Sequence, residues 1–329
     1  MRKAKLAQVL VIMVIAVLLC LNLTGLAEAK YAEPEIVIEA AHMFAEGDPS
    51  YIAVEEGKAY IEEKTNGRIS FTIYPNGTYG DQNNSVLAVR MGTLDVMNEA
   101  FNSNYVENAG AIQGPFLFSD YDHWKRFKES DYCTELKKQI EEIAGYKIVG
   151  VGHFGFRQFL GTQSAQTVDD FSKLKMRVVD SPAYTAVATI LGASGTPINI
   201  SDVYMSLQTS IVQGTENPLS QLVSMKFYEV AKYLVLTNHM LAQQYWVVSN
   251  NRYNSLSPND QALLEETFEF IANRIEEIVE EKEAANIAFM EENGVTVTTP
   301  DRSQFQNRIN LVFDTFPKWK EVYEIIQAL

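Results

Sequence analysis

The sequence predicts an α/β protein made of two units, each built from strands that alternate with helices. The chain has 329 residues, which is enough for two domains of ordinary size. Short apolar runs alternate with amphipathic segments, a pattern typical of mostly parallel sheets with helices on their faces. The segment from Pro258 to Asn293 has no internal proline or glycine. As a helix it would extend about 50 Å, which exceeds one small domain and indicates an element that bridges two.

The first half of the chain supplies regularly spaced signals. Pro49 opens a helical segment, and Ile69, Phe71 and Ile73 alternate with polar residues as in a strand. We predict strands at residues 35–42, 68–75, 93–100 and 146–154, and helices at residues 50–67, 85–92 and 121–144. Each helix separates two strands, as in a parallel sheet.

The second half repeats this alternation. Pro182 opens one helix, while Ser201 and Gly214 have the residue types of a helix N-cap and terminator. We predict strands at residues 174–180, 196–200, 244–250 and 294–300, and helices at residues 182–193, 201–214, 258–293 and 304–328. No internal repeat or low-complexity linker separates the units.

The N-terminal 29 residues have the composition of a secretory signal. Three basic residues among the first five precede an uncharged apolar stretch, and Ala27 and Ala29 match a signal-peptidase site. We expect cleavage after Ala29 and export to the periplasm or the outer face of the cytoplasmic membrane. Two alternatives stay open: a lipoprotein anchored at Cys20, or an uncleaved anchor, since the apolar run is nearly long enough to span a bilayer.

Charge and cysteine content exclude several classes of protein. The formal net charge of −15 argues against binding to nucleic acid or to anionic lipid. An anionic ligand would therefore need a local cluster of arginines. Cys133 is the one cysteine after the leader, which excludes an internal disulfide, and we interpret it as a small core residue.

The segment "GVGHFG" has the spacing of a dinucleotide-binding loop, with Gly150, Gly152 and Gly155 after an apolar run. Such a loop opens directly into a helix that holds the pyrophosphate. Here the following residues are β-formers with no helical period. We therefore interpret the glycines as a crossover between the two units, with Arg157 at the mouth of the cleft.

Catalytic and metal-binding patterns are missing from the sequence. The four histidines lie far apart, and there is neither a nucleophile elbow nor a phosphate-binding loop. The acidic run in the 258–293 segment is typical of a solvated helix face. We therefore predict no cofactor, no metal and no enzymatic activity.

Three segments carry a resemblance to a known family. They are "IYPNGTYGDQNNSVLAVRMGTLD", "LKMRVVDSPAYTAVATILGASGTPINISDVYMSLQTSIVQGTENPL" and "KFYEVAKYLVLTNHM". The chain resembles, from about residue 35 to about residue 320, the solute-binding proteins of tripartite ATP-independent periplasmic (TRAP) transporters, the DctP-like family.

The resemblance implies a two-lobed periplasmic-binding-protein fold of type II, with central mixed sheets flanked by helices and a long helix bridging the lobes. Lobe I would comprise residues 30–154 and 243–282, and lobe II residues 155–242 and 283–329 with the C-terminal helices. The protein would be a monomer that captures a small organic acid between the lobes and delivers it to the membrane subunits.

The resemblance also implies a set of ligand-binding residues. Arg177 would form a salt bridge with the ligand carboxylate, assisted by Arg157 and Asn217. The chemistry of arginine agrees with this role, because a planar guanidinium can donate two parallel hydrogen bonds to a carboxylate.

The first lobe departs from the family pattern. Gln82 and Asn83 stand where many members carry charged residues, and amides suit hydroxyl groups. Glu99, Gln244 and His42 are further candidates. These residues favour a sugar acid such as a uronate as the ligand, while a C4-dicarboxylate or an aromatic acid stays open. Two alternative functions also stay open: a sensor role in place of transport and, less in keeping with the residues, an exported enzyme on the same scaffold.

Overall fold

The computed structural model describes residues 33–101 and 105–329. The expected cleavage site after Ala29 and the alternative lipid site at Cys20 lie outside the described residues. Within the described ranges, no helix combines the length and the apolar character that crossing a bilayer requires.

The first half of the described chain alternates strands and helices as predicted. Asp48 caps the first helix by accepting a hydrogen bond from the Ser50 amide at 2.9 Å, with Pro49 at the first helical position. The elements are β1 (Ile36–Ala41), α1 (Pro49–Lys64), β2 (Ile69–Tyr74), α2 (Gln82–Met91), β3 (Val96–Glu99), a 3₁₀ turn (Glu107–Gln113), α3 (Tyr121–Lys128), α4 (Asp131–Ala144) and β4 (Tyr146–Gly161).

The second half contains shorter elements and the long helix. Two further 3₁₀ turns lie at Ile200–Asp202 and Phe227–Glu229. The remaining elements are α5 (Val168–Phe171), β5 (Lys175–Val178), α6 (Pro182–Leu191), β6 (Ser194–Pro197), α7 (Val203–Gln208), β7 (Gly214–Pro218), α8 (Leu219–Ser224), β8 (Tyr233–Ser249), α9 (Asn250–Ser255), α10 (Pro258–Glu292), β9 (Thr296–Thr298), α11 (Ser303–Gln306), α12 (Asn310–Thr315) and α13 (Trp319–Gln327).

All described strands belong to one mixed sheet with the order β2-β1-β3-β8-β4-β7-β5-β6, and β9 pairs with β8. The strands β2, β1 and β3 are mutually parallel, as are β7, β5 and β6. Between these two sets lie β4 and β8, of 16 and 17 residues, paired antiparallel to each other and to their outer neighbours. The prediction of a mixed sheet flanked by helices is confirmed.

Both central strands extend well beyond the predicted ranges 146–154 and 244–250. At about 3.3 Å per residue each spans roughly 50 Å, so both sets of outer strands share them. Residues 157–161 continue β4 because they pair with β7 on one side and with β8 on the other. Strands buried on both faces lack the apolar–polar alternation that reveals a half-exposed strand, which is why these extensions escape sequence analysis.

The predicted helix over residues 201–214 is wrong in extent. Ser201 lies inside a 3₁₀ turn, α7 ends at Gln208, and Ser210 has a positive φ of 60°. Gly214 starts β7 instead of ending a helix. A Cβ at Gly214 would meet the Phe159 ring at 2.3 Å, so this glycine permits close strand packing. The predicted single helix 121–144 is two helices, separated where the Ser130 hydroxyl caps α4.

The three glycines of "GVGHFG" lie within continuous β4, which excludes a dinucleotide loop at this position. Two of them admit α10 close to the strand. A Cβ at Gly150 would lie 2.5 Å from the Phe268 carbonyl oxygen, and one at Gly152 would lie 3.2 Å from that of Ala272. Gly155 has a φ of 102° and falls in the register shift between His153 and Phe156. The long strand is therefore irregular where the predicted lobes meet.

Helix α10 forms the single long segment that the sequence predicts. Its Phe268 is fully buried and stacks on Phe71 of β2 at 5.6 Å between ring centroids. Its apolar face packs on β4 and on α1, where Gly57 accommodates Ile271. The division into lobes at residues 154/155, 242/243 and 282/283 stays a prediction.

Candidate functional site

Arg177 on β5 carries a buried guanidinium that contacts no carboxylate of the described residues. Arg177 is 3% exposed, and its Nε donates to the Ile198 carbonyl at 2.8 Å. Its Nη1 is buried without a hydrogen-bond partner among the described residues, and none of their carboxylates forms an ion pair with it. Burial lowers its pKa to about 10, although the charge of Glu216 opposes this shift. A buried charge is costly unless paired, so this group is suited to an anionic guest.

Neighbouring strands position Arg177 rigidly. β5 lies between β6 and β7, with Arg177 opposite Thr196 on one side and Thr215 on the other. The bond to Ile198, just after β6, orients the guanidinium. A cation held on a strand interior binds with less loss of conformational freedom than one on a mobile loop.

Arg157 on β4 is also buried, but it already has a partner. Its Nε contacts Glu216 Oε2, its Nη2 lies 2.9 Å from Glu216 Oε1, and Nη2 also donates to the Glu216 carbonyl at 2.6 Å. The guanidinium sits over the Tyr184 ring at 4.9 Å. Burial alone would raise the pKa of Glu216, but Arg157 and His239 bring this pKa down to about 2. The pair is therefore ionised, and the two arginines together leave one unbalanced positive charge.

His239 extends this buried network across β8. Its Nε2 lies 3.2 Å from Glu216 Oε2 and its Nδ1 lies 2.7 Å from Thr237 Oγ1. Burial lowers the pKa of His239 below its usual value, so the ring is neutral at pH 7. Nε2 then donates to Glu216 and Nδ1 accepts from the threonine hydroxyl. Glu216 and His239 both lie in the segments that carry the family resemblance, yet sequence reasoning did not select them.

Asn217 lies on β7, the strand between those that carry the two arginines. It is 1% exposed, its Oδ1 accepts from Thr215 Oγ1 at 2.9 Å, and its Nδ2 donates to Gln221 Oε1 at 2.6 Å. Its position opposite Gln158 places it on the strand between β4 and β5. An amide has two donors and two lone pairs, so each end keeps capacity for a ligand.

A second group of buried polar atoms lies near the register shift, on the other half of the sheet. Both amide atoms of Gln244 are buried without a partner among the described residues, as are Asn98 Oδ1 and His42 Nε2. His42 Nδ1 accepts from the Phe44 amide at 3.2 Å, and burial lowers the His42 pKa to about 4. His42 is therefore neutral at pH 7 and offers Nε2–H as a donor. Sequence reasoning missed Asn98, which differs little from any other asparagine in a strand.

The pairing of β4 with β8 relates the positions of Arg157 and Gln244 along the sheet. Gln244 pairs with Gly152 and Arg157 pairs with Met240, so four residues of β8 separate their levels, about 13 Å. Arg177 lies further along the sheet, because its neighbour Thr215 pairs with Leu160 of β4, and Leu160 pairs with Leu234 of β8. The arrangement provides one cation at one end and uncharged donors and acceptors at the other.

The remaining predicted residues are placed less centrally. Gln82 begins α2 and its Nε2 donates to the Asn98 carbonyl at 2.8 Å, while Asn83 is exposed. Glu99 ends β3 opposite Tyr245 and is 9% exposed. Burial of Tyr245 is the main cause of the raised pKa of its hydroxyl, and the negative charge of Glu99 raises this pKa further. The ligand roles of all eight predicted residues stay predictions.

Comparison with known proteins identifies the family. Residues 40–319 match the model of bacterial extracellular solute-binding proteins of family 7, DctP. The chain belongs to this family. It is a family of substrate-binding subunits of TRAP transporters and not one of enzymes, so the resemblance seen in the sequence is confirmed.

Individual relatives support the same assignment. The sialic acid-binding periplasmic protein SiaP of Vibrio cholerae is 29% identical over 258 residues, covering 78% of this chain and 80% of its own. The 2,3-diketo-L-gulonate-binding periplasmic protein YiaO of Escherichia coli is 29% identical over 278 residues, covering 82% and 84%. A solved TRAP solute-binding protein of Actinobacillus succinogenes with bound L-galactonate has a TM-score of 0.84 at 24% identity, covering 89% of this chain and 100% of that one. This likeness confirms the two-lobed fold.

Proposed function

We propose that this DctP-family protein captures a hydroxylated monocarboxylate, an aldonate or a uronate, in a cleft between its two lobes. Arg177 would pair with the carboxylate, and Asn217 would complete its hydrogen bonding. The observation that carries the proposal is the buried guanidinium of Arg177, which has an unpartnered Nη1 and no ion pair among the described residues.

The charge of the site favours one negative charge on the ligand over two. Arg157 is neutralised by Glu216, which leaves the charge of Arg177 unbalanced. A C4-dicarboxylate would bring a second carboxylate without a second free cation, and burying an unpaired charge is costly. A sugar acid instead presents hydroxyl groups to the uncharged atoms of Gln244, Asn98 and His42, which can both donate and accept.

The ligands of several relatives belong to this class, whereas two structural neighbours hold sn-glycerol-3-phosphate. One similar protein is named as binding 2,3-diketo-L-gulonate and another was solved with bound L-galactonate, both hydroxylated monocarboxylates. We further propose that residues 1–29 are removed on export, that the mature chain is monomeric, and that its liganded form delivers the acid to TRAP membrane subunits. Closure of lobe I (residues 30–154 and 243–282) on lobe II (residues 155–242 and 283–329) would shift the population toward that form.

A ligand panel tests this proposal directly. The chain from residue 30 onward is titrated by calorimetry with galactonate, glucuronate, succinate and galactitol, the last being the uncharged counterpart of galactonate. We expect a sugar acid to bind and galactitol to give no heat. Binding of succinate in preference to every sugar acid would reject the charge argument, and binding of galactitol equal to that of galactonate would reject the carboxylate.

Arg177→Gln removes the charge and retains much of the side-chain volume. Because charge-assisted hydrogen bonds contribute roughly 1.5–3 kcal/mol each, we expect affinity for the best sugar acid to fall at least about tenfold. Arg308→Gln is the matched control, since Arg308 also has a buried Nη1 without a partner among the described residues, but this atom lies beside Gly192 at the end of α6. Equal affinity of parent and Arg177→Gln would refute the assigned role.

A further inference from the structure

A cavity of about 460 Å³ is lined by residues that do not belong to the arginine site. The segment after the first 3₁₀ turn, helices α3 and α11 and the end of α13 enclose it. Its lining residues are Phe116, Leu117, Phe118, Ser119, His123, Arg126, Arg302, Gln306 and Gln327. Its volume falls within the range of small-molecule sites in proteins.

The charge of this lining is unusual for an acidic protein. Two arginines and three uncharged polar side chains other than histidine line the cavity, and no aspartate or glutamate does, although the chain has a net charge of −15. Asp120 and Asp301 lie near in sequence but cap their own segments. Asp120 accepts from the His123 amide at 2.8 Å, and Asp301 accepts from the Ser303 amide at 3.0 Å. The side chains that line the cavity therefore include two cations and no anion.

Arg302 forms no ion pair with a carboxylate of the described residues. Its Nη2 donates to the Asn238 carbonyl at 3.0 Å and its guanidinium lies over the Phe116 ring at 5.7 Å. Its Nε is buried without a partner among the described residues. Burial lowers the pKa of Arg302, and no neighbouring carboxylate opposes that shift. A half-buried guanidinium in this state gains when an oxyanion approaches.

Phe116, whose ring lies under the Arg302 guanidinium, has an uncommon backbone conformation. Phe116 has a φ of 58°, which is strained for a bulky residue, and its amide donates to the His239 carbonyl at 2.8 Å. His123 is structural, since its Nε2 donates to the Ile326 carbonyl at 2.8 Å and its Nδ1 accepts from the Ser119 amide. Arg126 is exposed, and its Nε donates at 2.7 Å to an oxygen of the α-carboxylate of Leu329, the last residue of the structure. Its terminal nitrogens remain at the rim of the cavity.

We propose that this cavity is a second anion-binding site, which takes a small oxyanion, a phosphate or a compact carboxylate, between Arg302 and Arg126. Arg302 supplies donors from the half-buried wall and Arg126 supplies them from the rim. The cavity shares no lining residue with the Arg177 group, although Arg302 and Phe116 bond to the carbonyls of Asn238 and His239 on β8.

Equilibrium dialysis with radiolabelled inorganic phosphate, and calorimetry with malonate as the carboxylate arm, test the site. We expect saturable binding of at least one of these probes to one site, retained in Arg177→Gln. Arg302→Gln should weaken it about tenfold or more, through loss of a charge-assisted contact, and Arg126→Gln should weaken it less. Arg308→Gln, on the same C-terminal segment but outside the cavity, should bind as the parent does.

These probes and variants distinguish binding at this cavity from binding in the cleft, and a lost contact from a folding defect. Preference for phosphate over malonate, or the reverse, identifies the source of the oxyanion. Absence of saturable binding of both probes to the parent overturns the proposal, as does binding that Arg177→Gln abolishes and Arg302→Gln retains. Because Arg302 also braces Asn238, Arg302→Lys and the exposed Arg126→Gln serve if Arg302→Gln fails to fold. Unchanged binding in both of them would equally overturn it.

Discussion

Glu216→Gln removes the negative half of a fully buried ion pair while preserving its shape. In the folded protein the pKa of Glu216 is about 2, against 4.5 in an unfolded chain. By linkage, this difference corresponds to about 3 kcal/mol of folding free energy at neutral pH. The value agrees with the roughly 3–5 kcal/mol typical for breaking a buried pair, because Arg157 is left charged and uncompensated.

The pH dependence of this stabilisation has a definite sign. Because the pKa of Glu216 is depressed on folding, its contribution is fully present above about pH 4.5 and is lost as the pH falls toward 2. The difference in unfolding free energy between parent and Glu216→Gln should therefore be largest at pH 7 and shrink in acid.

Urea unfolding followed by tryptophan fluorescence measures this difference, since Trp124, Trp246 and Trp319 are all buried. Arg157→Gln and the double variant complete a mutant cycle that isolates the pair from other contacts. The single variant Glu216→Gln should also gain affinity for a dicarboxylate relative to a monocarboxylate, because Arg157 then becomes a second free cation. A loss below about 1 kcal/mol at pH 7, or one that does not depend on pH, refutes the reasoning.

Two further variants test packing and the hydroxyl-binding group. Gly150→Ala places a Cβ 2.5 Å from the Phe268 carbonyl oxygen. It should lower the melting temperature, at a cost of about 1–3 kcal/mol in folding free energy. The control Gly80→Ala has 3.6 Å of clearance and should be nearly neutral, and equal melting temperatures of the two variants would contradict the close approach of α10. Gln244→Leu removes two buried, unpartnered amide atoms, so thermal stability without ligand should hold or rise while calorimetric affinity for the sugar acid falls; a fall in stability with unchanged affinity would show that the amide is structural.

Some properties of this protein follow from the sequence alone. The alternation of strands and helices, the uninterrupted helix Pro258–Glu292 and the family resemblance are local patterns, and each is recovered in the structure. Arg177 could be selected because it lies in a conspicuous segment of that resemblance. Periodicity and capping depend on neighbours within a few residues, which a sequence displays directly.

Other properties depend on which strands become neighbours. The pairing of Arg157 with Glu216 arises because β4 and β7 are adjacent and in register, although 59 residues separate the two side chains in the chain. Without that register, Arg157 counts as a second free cation, and a dicarboxylate is as reasonable a ligand as a sugar acid. Charge balance in a buried site is a sum over groups brought together by folding, so only the tertiary structure decided that one positive charge remains.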